Sequence, residues 1–187
     1  MNYKELIHKI HNRQLDDFYP LENILKDTKI LPKNRGGLYW LWTKLDYDEL
    51  VNVCDENDNK NEINRKVPLS KLISQRKELS HICSIEKNSY KIVYNGIGGY
   101  KTNPKSFGLR ERILQEYNSK DNRTGSLDLK KYNFSINDWA VSFFDFDDDS
   151  NKEYFDFLKD ENAYLKYASD LEKLWRLEFG HPILCRH

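Results

Sequence analysis

The chain has 187 residues, with 30 Lys and Arg against 30 Asp and Glu, so its formal net charge at neutral pH is zero. That length is ordinary for one domain and can bury a real core, to which 12 Tyr, 9 Phe and 4 Trp bring large apolar areas. No apolar run is long enough to span a bilayer and no charged-then-apolar leader follows Met1, which excludes a helical membrane protein and points to the cytoplasm.

Residues 1–30 read as one or two short amphipathic helices, carried by Tyr3, Leu6, Ile7 and Ile10 and then by Leu21, Ile24 and Leu25 after Pro20. With the stretch up to residue 35 they form an N-terminal helical cap. His8 and His11 are spaced to share a helix face, but no Cys or carboxylate pair stands at matching spacing, so packing on the core is the reading taken over a metal site. Gly36-Gly37 then opens Leu38-Tyr39-Trp40-Leu41-Trp42-Thr43, a short aromatic run that reads as a buried strand.

Residues 44–88 separate this strand from the next. Asp55 to Arg65 is polar and reads as a solvated loop, whereas Leu69, Leu72, Ile73, Leu79 and Ile82 suggest a helix between Pro68 and Ile82. A second strand follows at 90–95, breaking at Gly96, Gly98 and Gly99. The chain restarts as a helix after Pro104 and Ser106, with Arg110 and Arg112 in its first turns. A strand end, a loop open to close backbone approach, and arginines near a helix N-terminus are the ingredients of a phosphate site.

Trp139 to Phe144 is the third strand. The Asp145-to-Asp149 run lacks a calcium-loop pattern and reads as a turn that caps the next helix. A last helix spans about 162–179, with Tyr164, Ala168, Leu171 and Trp175 on one face, Glu172 at its edge and Glu178 inside it; Gly180 and Pro182 end it. A carboxylate against an apolar stripe needs a partner such as a metal or an arginine. The tail after Gly180, though it holds His181 and Cys185, reads as a docked C-terminal segment, and the wide spacing of Cys54, Cys83 and Cys185 fits reduced thiols. The fold class is α/β (α+β): a small mixed or antiparallel sheet of about three or more strands, flanked by helices in one domain.

Charge is unevenly placed. From Lys101 to Lys131 there are eight basic residues against four acidic; from Asp145 to Glu161 there are eight acidic residues against two lysines. A locally basic face holds nucleic acid even when the whole molecule is neutral.

Taken in order, Gly37-Leu38-Tyr39, Tyr94-Asn95-Gly96, Leu109-Arg110-Glu111-Arg112 and the late-helix Glu172 resemble the signatures of the GIY-YIG nuclease family, over roughly residues 35–187. The resemblance implies a metal-dependent endonuclease that hydrolyses phosphodiester bonds in DNA, double-stranded above all, in the manner of compact restriction enzymes; cutting both strands then needs a homodimer or two separate events. It also implies roles. Tyr39 stands beside the attacking water and helps to deprotonate it, Tyr94 contacts the phosphate or the water shell of the metal, and Arg112 pairs with phosphate oxygens. Glu172 holds Mg²⁺ or Mn²⁺. Lys101, Lys105, Arg110 and Tyr117 are the expected substrate-binding residues. Arg110 competes with Arg112, and Glu178 with Glu172.

This sequence departs from the family in three places, one being that family sites tend to include an asparagine near the C-terminus and nothing after Gly180 supplies one. Tyr39 and Tyr94 are 55 positions apart where the family joins these strands tightly, which makes 44–88 an insertion. Glu116 stands where the family often has a histidine, four residues after the arginine, leaving that role vacant or open to Tyr117 or Lys101. For a tyrosine, with its ordinary pKa of about 10, to act as a base at neutral pH, a metal or a cation must lower that value. The alternative is a catalytically degenerate module that binds nucleic acid on the same scaffold.

Overall fold

A computed structural model describes residues 2–58, 68–99, 107–119, 126–158 and 163–185. Five strands form one antiparallel sheet: β1 (Phe18–Pro20), β2 (Gly37–Thr43), β3 (Glu86–Lys87), β4 (Tyr90–Gly98) and β5 (Trp139–Asp145), in the order β1-β5-β2-β4-β3. The three strands expected from sequence are its centre. The two short outer strands, β1 and β3, carry too few residues to show an alternation in sequence.

β2 and β5 are buried along their whole length, so they read as continuous apolar runs rather than alternating ones. Their side chains still divide by parity. Tyr39, Leu41, Val141 and Phe143 belong to one core, and Leu38, Trp40, Trp42, Ala140 and Phe144 to the other.

Helix α5 (Leu109–Tyr117) lies on the first face through Leu109 and Ile113. It settles close to β4 because Gly98 has no Cβ; one placed there would stand 2.6 Å from the Leu109 backbone. Helix α6 (Ala163–Phe179) covers the second face through Ala168, Leu171 and Trp175. Helix α1 (Tyr3–Gln14) adds Leu6, Ile7 and Ile10 to the same face and starts with a capping box between Asn2 and Glu5. A short helix α2 (Leu21–Lys26) follows β1. The N-terminal stretch thus divides, α1 packing on one core, α2 on the other through Leu21 and Ile24, and β1 joining the sheet between them. No helix among the described residues is long and apolar enough to cross a membrane.

The stretch between β2 and β4 corrects one expectation. Helix α3 (Tyr47–Asp58) runs through Asp55–Asp58, where sequence suggested a solvated loop; residues 59–65 of that loop lie outside the described residues. Leu50 and Cys54, one helical turn apart, are buried against Leu69, Leu72 and Ile73 of helix α4 (Leu69–Arg76). Asn57, which reads as a loop residue, is 6% exposed and donates through Nδ2 to the carbonyls of Val53 (2.8 Å) and Tyr132 (3.0 Å). Helix α4 is shorter than the 68–82 expectation, stopping at Arg76.

The acidic run after β5 is a turn. Asp145 accepts from Arg35 and from the Asp147 amide, each at 2.9 Å, and Asp148 accepts from the Ser150 amide at 2.8 Å as a 3₁₀ helix (Asp149–Leu158) begins. The tail is docked as expected: Ile183, Leu184 and Cys185 are buried, and the Leu184 amide donates to the Val93 carbonyl at 2.8 Å.

Candidate active site

The register of β2 against β4 pairs Tyr39 with Gly96 and Leu41 with Tyr94, setting both tyrosines on the face that α5 covers, with ring centroids 6.1 Å apart. Gly96 is required there. A Cβ at that position would lie 2.4 Å from the Tyr39 hydroxyl, so the ring packs directly over the glycine.

Helix α5 points its two arginines differently. The Nε of Arg110 donates to the Leu31 carbonyl at 2.8 Å, with Nη2 on the same oxygen, so this guanidinium ties the helix to the chain ahead of β2. Arg112 turns to the tyrosines: Nη1 donates to Gln115 Oε1 at 2.9 Å and Nη2 to Glu116 Oε1 at 3.3 Å, and the side chain keeps 23% of its exposure.

Glu116 is the hub. The Tyr39 hydroxyl donates to its Oε1 at 2.7 Å and the Leu127 amide to its Oε2 at 2.6 Å; both Glu116 and Tyr39 are 0% exposed. Burial, then the charge of Glu116, holds the Tyr39 phenol well above its ordinary pKa, and the opposing pull of Arg112 is smaller. The lowering that a tyrosine base requires is therefore not supplied by this cation. Tyr94 is also raised, by burial first and then by Glu116. Its hydroxyl makes no hydrogen bond among the described residues and the residue is partly exposed. Arg112 loses stability of its charge to burial but gains more from Tyr39, Glu116 and Tyr94, ending above its ordinary value.

Glu172 stands on α6, the helix of the face opposite Tyr39 and Tyr94. β3 pairs only with Tyr90 and Lys91; beyond them the docked tail follows β4, the Leu184 amide donating to the Val93 carbonyl and the Asn95 amide to Cys185 Sγ. Arg176 Nη2 holds Glu172 Oε1 at 2.7 Å while its Nε donates to Asn95 Oδ1 at 2.7 Å. Burial raises the Glu172 carboxyl, against the pull of Arg176, Lys173 and Arg112; Glu172 in turn adds to the raising of Tyr94. These mutual effects place Arg112, Tyr94 and Glu172 within electrostatic reach of one another.

The other expected residues fall elsewhere. Tyr117 packs, half-buried, against the α5-side core. Lys101 and Lys105 lie outside the described residues. Glu178 binds His8 of α1 at 3.0 Å and is not at the site. Sequence reasoning missed Asn95, Gln115 and Arg176. The one available signal was that Arg176 follows Glu172 by four positions, which puts both on one helix face.

No group of three or more His, Cys, Asp or Glu gathers among the described residues. A hard divalent ion does not need one: Mg²⁺ is commonly bound through one or two carboxylates, with water and substrate phosphate completing the shell. Glu172 fits that use, since its Oε2 makes no hydrogen bond among the described residues and its donors are oxygen only. No protein-family model, curated protein or solved structure matches the chain.

Proposed function

We propose that the chain is a metal-dependent endonuclease of the GIY-YIG type, hydrolysing phosphodiester bonds in DNA. The observation that carries this reading is the meeting of Tyr39, Tyr94 and Arg112 over the β2–β4 pair, with Glu172 on α6 within electrostatic reach of Tyr94 and Arg112. Phosphodiester hydrolysis needs a nucleophilic water, compensation of the charge gathering on phosphorus-bound oxygens, and a path for the leaving oxygen.

In this reading Arg112 meets two phosphate oxygens in forked geometry, exchanging the Gln115 contact for substrate while Glu116 keeps its other arm in place. Tyr94, whose hydroxyl makes no hydrogen bond among the described residues, donates to the phosphate or orients the incoming water. Tyr39 keeps its proton on Glu116 and fixes the wall behind Arg112, a different part from the water activation that family resemblance implies. Glu172 holds Mg²⁺ or Mn²⁺; when bound, that ion supplies hydroxide from water at neutral pH and positive charge toward the phosphate. The charges of Arg112 and Arg176 are matched by those of Glu116 and Glu172, so the ion provides the surplus that a phosphate requires.

One observation favours a second reading. Tyr39 is fully buried and Glu116 already neutralises Arg112, as befits a module on this scaffold that holds nucleic acid without cutting it. Incubating the purified protein with supercoiled plasmid, in Mg²⁺ or in EDTA, separates the two. Nicking that appears only with the metal supports the nuclease. Salt-sensitive retention without nicking supports the binding module. Absence of both removes nucleic acid as the ligand.

A further inference from the structure

Strand β4 sends Tyr94 and Gly96 to the α5 face and Asn95, between them, to the α6 face. Three consecutive residues therefore serve both halves of the candidate site. Asn95 is 1% exposed, and its side chain and carbonyl both face Arg176: Nε donates to Oδ1 at 2.7 Å and Nη2 approaches the carbonyl at 3.4 Å. The Asn95 amide in turn meets Cys185 Sγ at 3.2 Å, so the anchor is itself fixed by the docked tail.

Arg176 then reaches Glu172 Oε1 at 2.7 Å, each side chain being only 14% exposed. An i,i+4 pair on a solvated helix face has neither this burial nor a third residue from another element gripping the guanidinium. Building on the metal reading of Glu172, we propose that Arg176 is a positioning residue for the metal-binding carboxylate: anchored on Asn95, it fixes one oxygen of Glu172 and leaves the other directed to a divalent ion. Carboxylates that ligate metals are commonly oriented in this way by a hydrogen-bonding partner, and losing that partner costs ten- to a hundredfold in metal affinity.

The electrostatics agree. Burial disfavours the ionised Glu172, and the first cation opposing it is Arg176, ahead of Lys173 and Arg112. The other titratable groups facing this carboxylate are Tyr94 of β4 and Cys185 of the tail, both held protonated by burial.

The test is direct Mn²⁺ binding to the full chain, read by the electron paramagnetic resonance signal of the free ion, for wild type, Glu172→Gln, Arg176→Gln and Arg176→Lys. Thermal melting checks that each variant folds. The expected result is loss of binding in Glu172→Gln, a ten- to a hundredfold weaker Kd in Arg176→Gln, and partial recovery in Arg176→Lys. If Arg176→Gln does not fold, Arg176→Lys decides, because an ammonium keeps the charge but cannot grip Asn95 and Glu172 together; it is then expected to bind several-fold more weakly than wild type. Wild-type affinity or better in the deciding Arg176 variant, with binding still lost in Glu172→Gln, overturns the positioning role and leaves the metal reading standing. No Mn²⁺ binding by wild type, or full binding by Glu172→Gln, removes the metal reading itself and this inference with it.

Discussion

The Tyr39 hydroxyl gives its hydrogen to Oε1 of Glu116 across 2.7 Å, and neither residue has any exposed surface. The same carboxylate also holds Arg112 and the Leu127 amide, so three groups from three parts of the chain converge on one buried anion.

Glu116→Ala is therefore expected to destabilise the fold by about 3–5 kcal/mol, the usual cost of breaking a buried charge pair and stranding its donors. Glu116→Gln keeps an acceptor for Tyr39 and is expected to lose less than half as much. Urea denaturation of both variants checks this. A loss below 1 kcal/mol in Glu116→Ala would show that the cluster relaxes to let water in.

Gly96→Ala places a methyl 2.4 Å from the Tyr39 hydroxyl, which itself is held by Glu116 and cannot swing away without breaking that bond. Overpacking of this kind costs about 1–3 kcal/mol. The melting temperature of Gly96→Ala should fall accordingly, and an unchanged value would mean that the tyrosine ring is not fixed over the glycine.

Acid is expected to weaken the N-terminal cap through His11. This ring packs 4.3 Å from Phe179, contacts Gln14 at 3.4 Å, and has a pKa pushed down to about 4, first by burial and then by His8. The folded state thus binds fewer protons than the unfolded chain between pH 6.5 and 4, so stability is full above 6.5 and falls as pH drops toward 4. The loss amounts to about 2–3 kcal/mol. Comparing denaturation at pH 7.5 and 4.5 in wild type and His11→Gln reads it out: the variant should show a shallower decline.

How much of this was legible beforehand follows from what each feature depends on. Strands β2, β4 and β5 were visible because their residues are aromatic or β-branched between glycine and polar breaks. Helix α3 was hidden by a polar tail whose Asn57 is buried only through its bond to the distant Tyr132 carbonyl. The meeting of Tyr39, Tyr94 and Arg112 followed from motif order. That Glu172 would stand on the opposite face depends on which side α6 packs, and that is set by the packing of Trp175 with Trp40 and α1, which no local pattern records. Glu116, read as a departure at a histidine position, proves to be the most connected side chain of the cluster.

Tyr94→Phe and Arg112→Lys separate function from folding. Tyr94 makes no hydrogen bond through its hydroxyl among the described residues, so removing that oxygen should change stability by less than about 0.5 kcal/mol. Arg112 is the cation facing the fully buried Glu116, so Arg112→Ala should cost the fold about 3–5 kcal/mol, and Arg112→Lys, which keeps the charge, is read beside it. Under the nuclease reading both groups touch the phosphate, and losing a donor aimed at developing charge lowers turnover by about a hundredfold or more. The measurement is the rate of Mg²⁺-dependent plasmid nicking for each variant beside its melting curve. Activity that falls in Tyr94→Phe and in Arg112→Lys while their melting curves stay near wild type places these two residues at the chemistry. Wild-type nicking by Arg112→Ala would remove the arginine from the phosphate and the nuclease assignment of this cluster along with it.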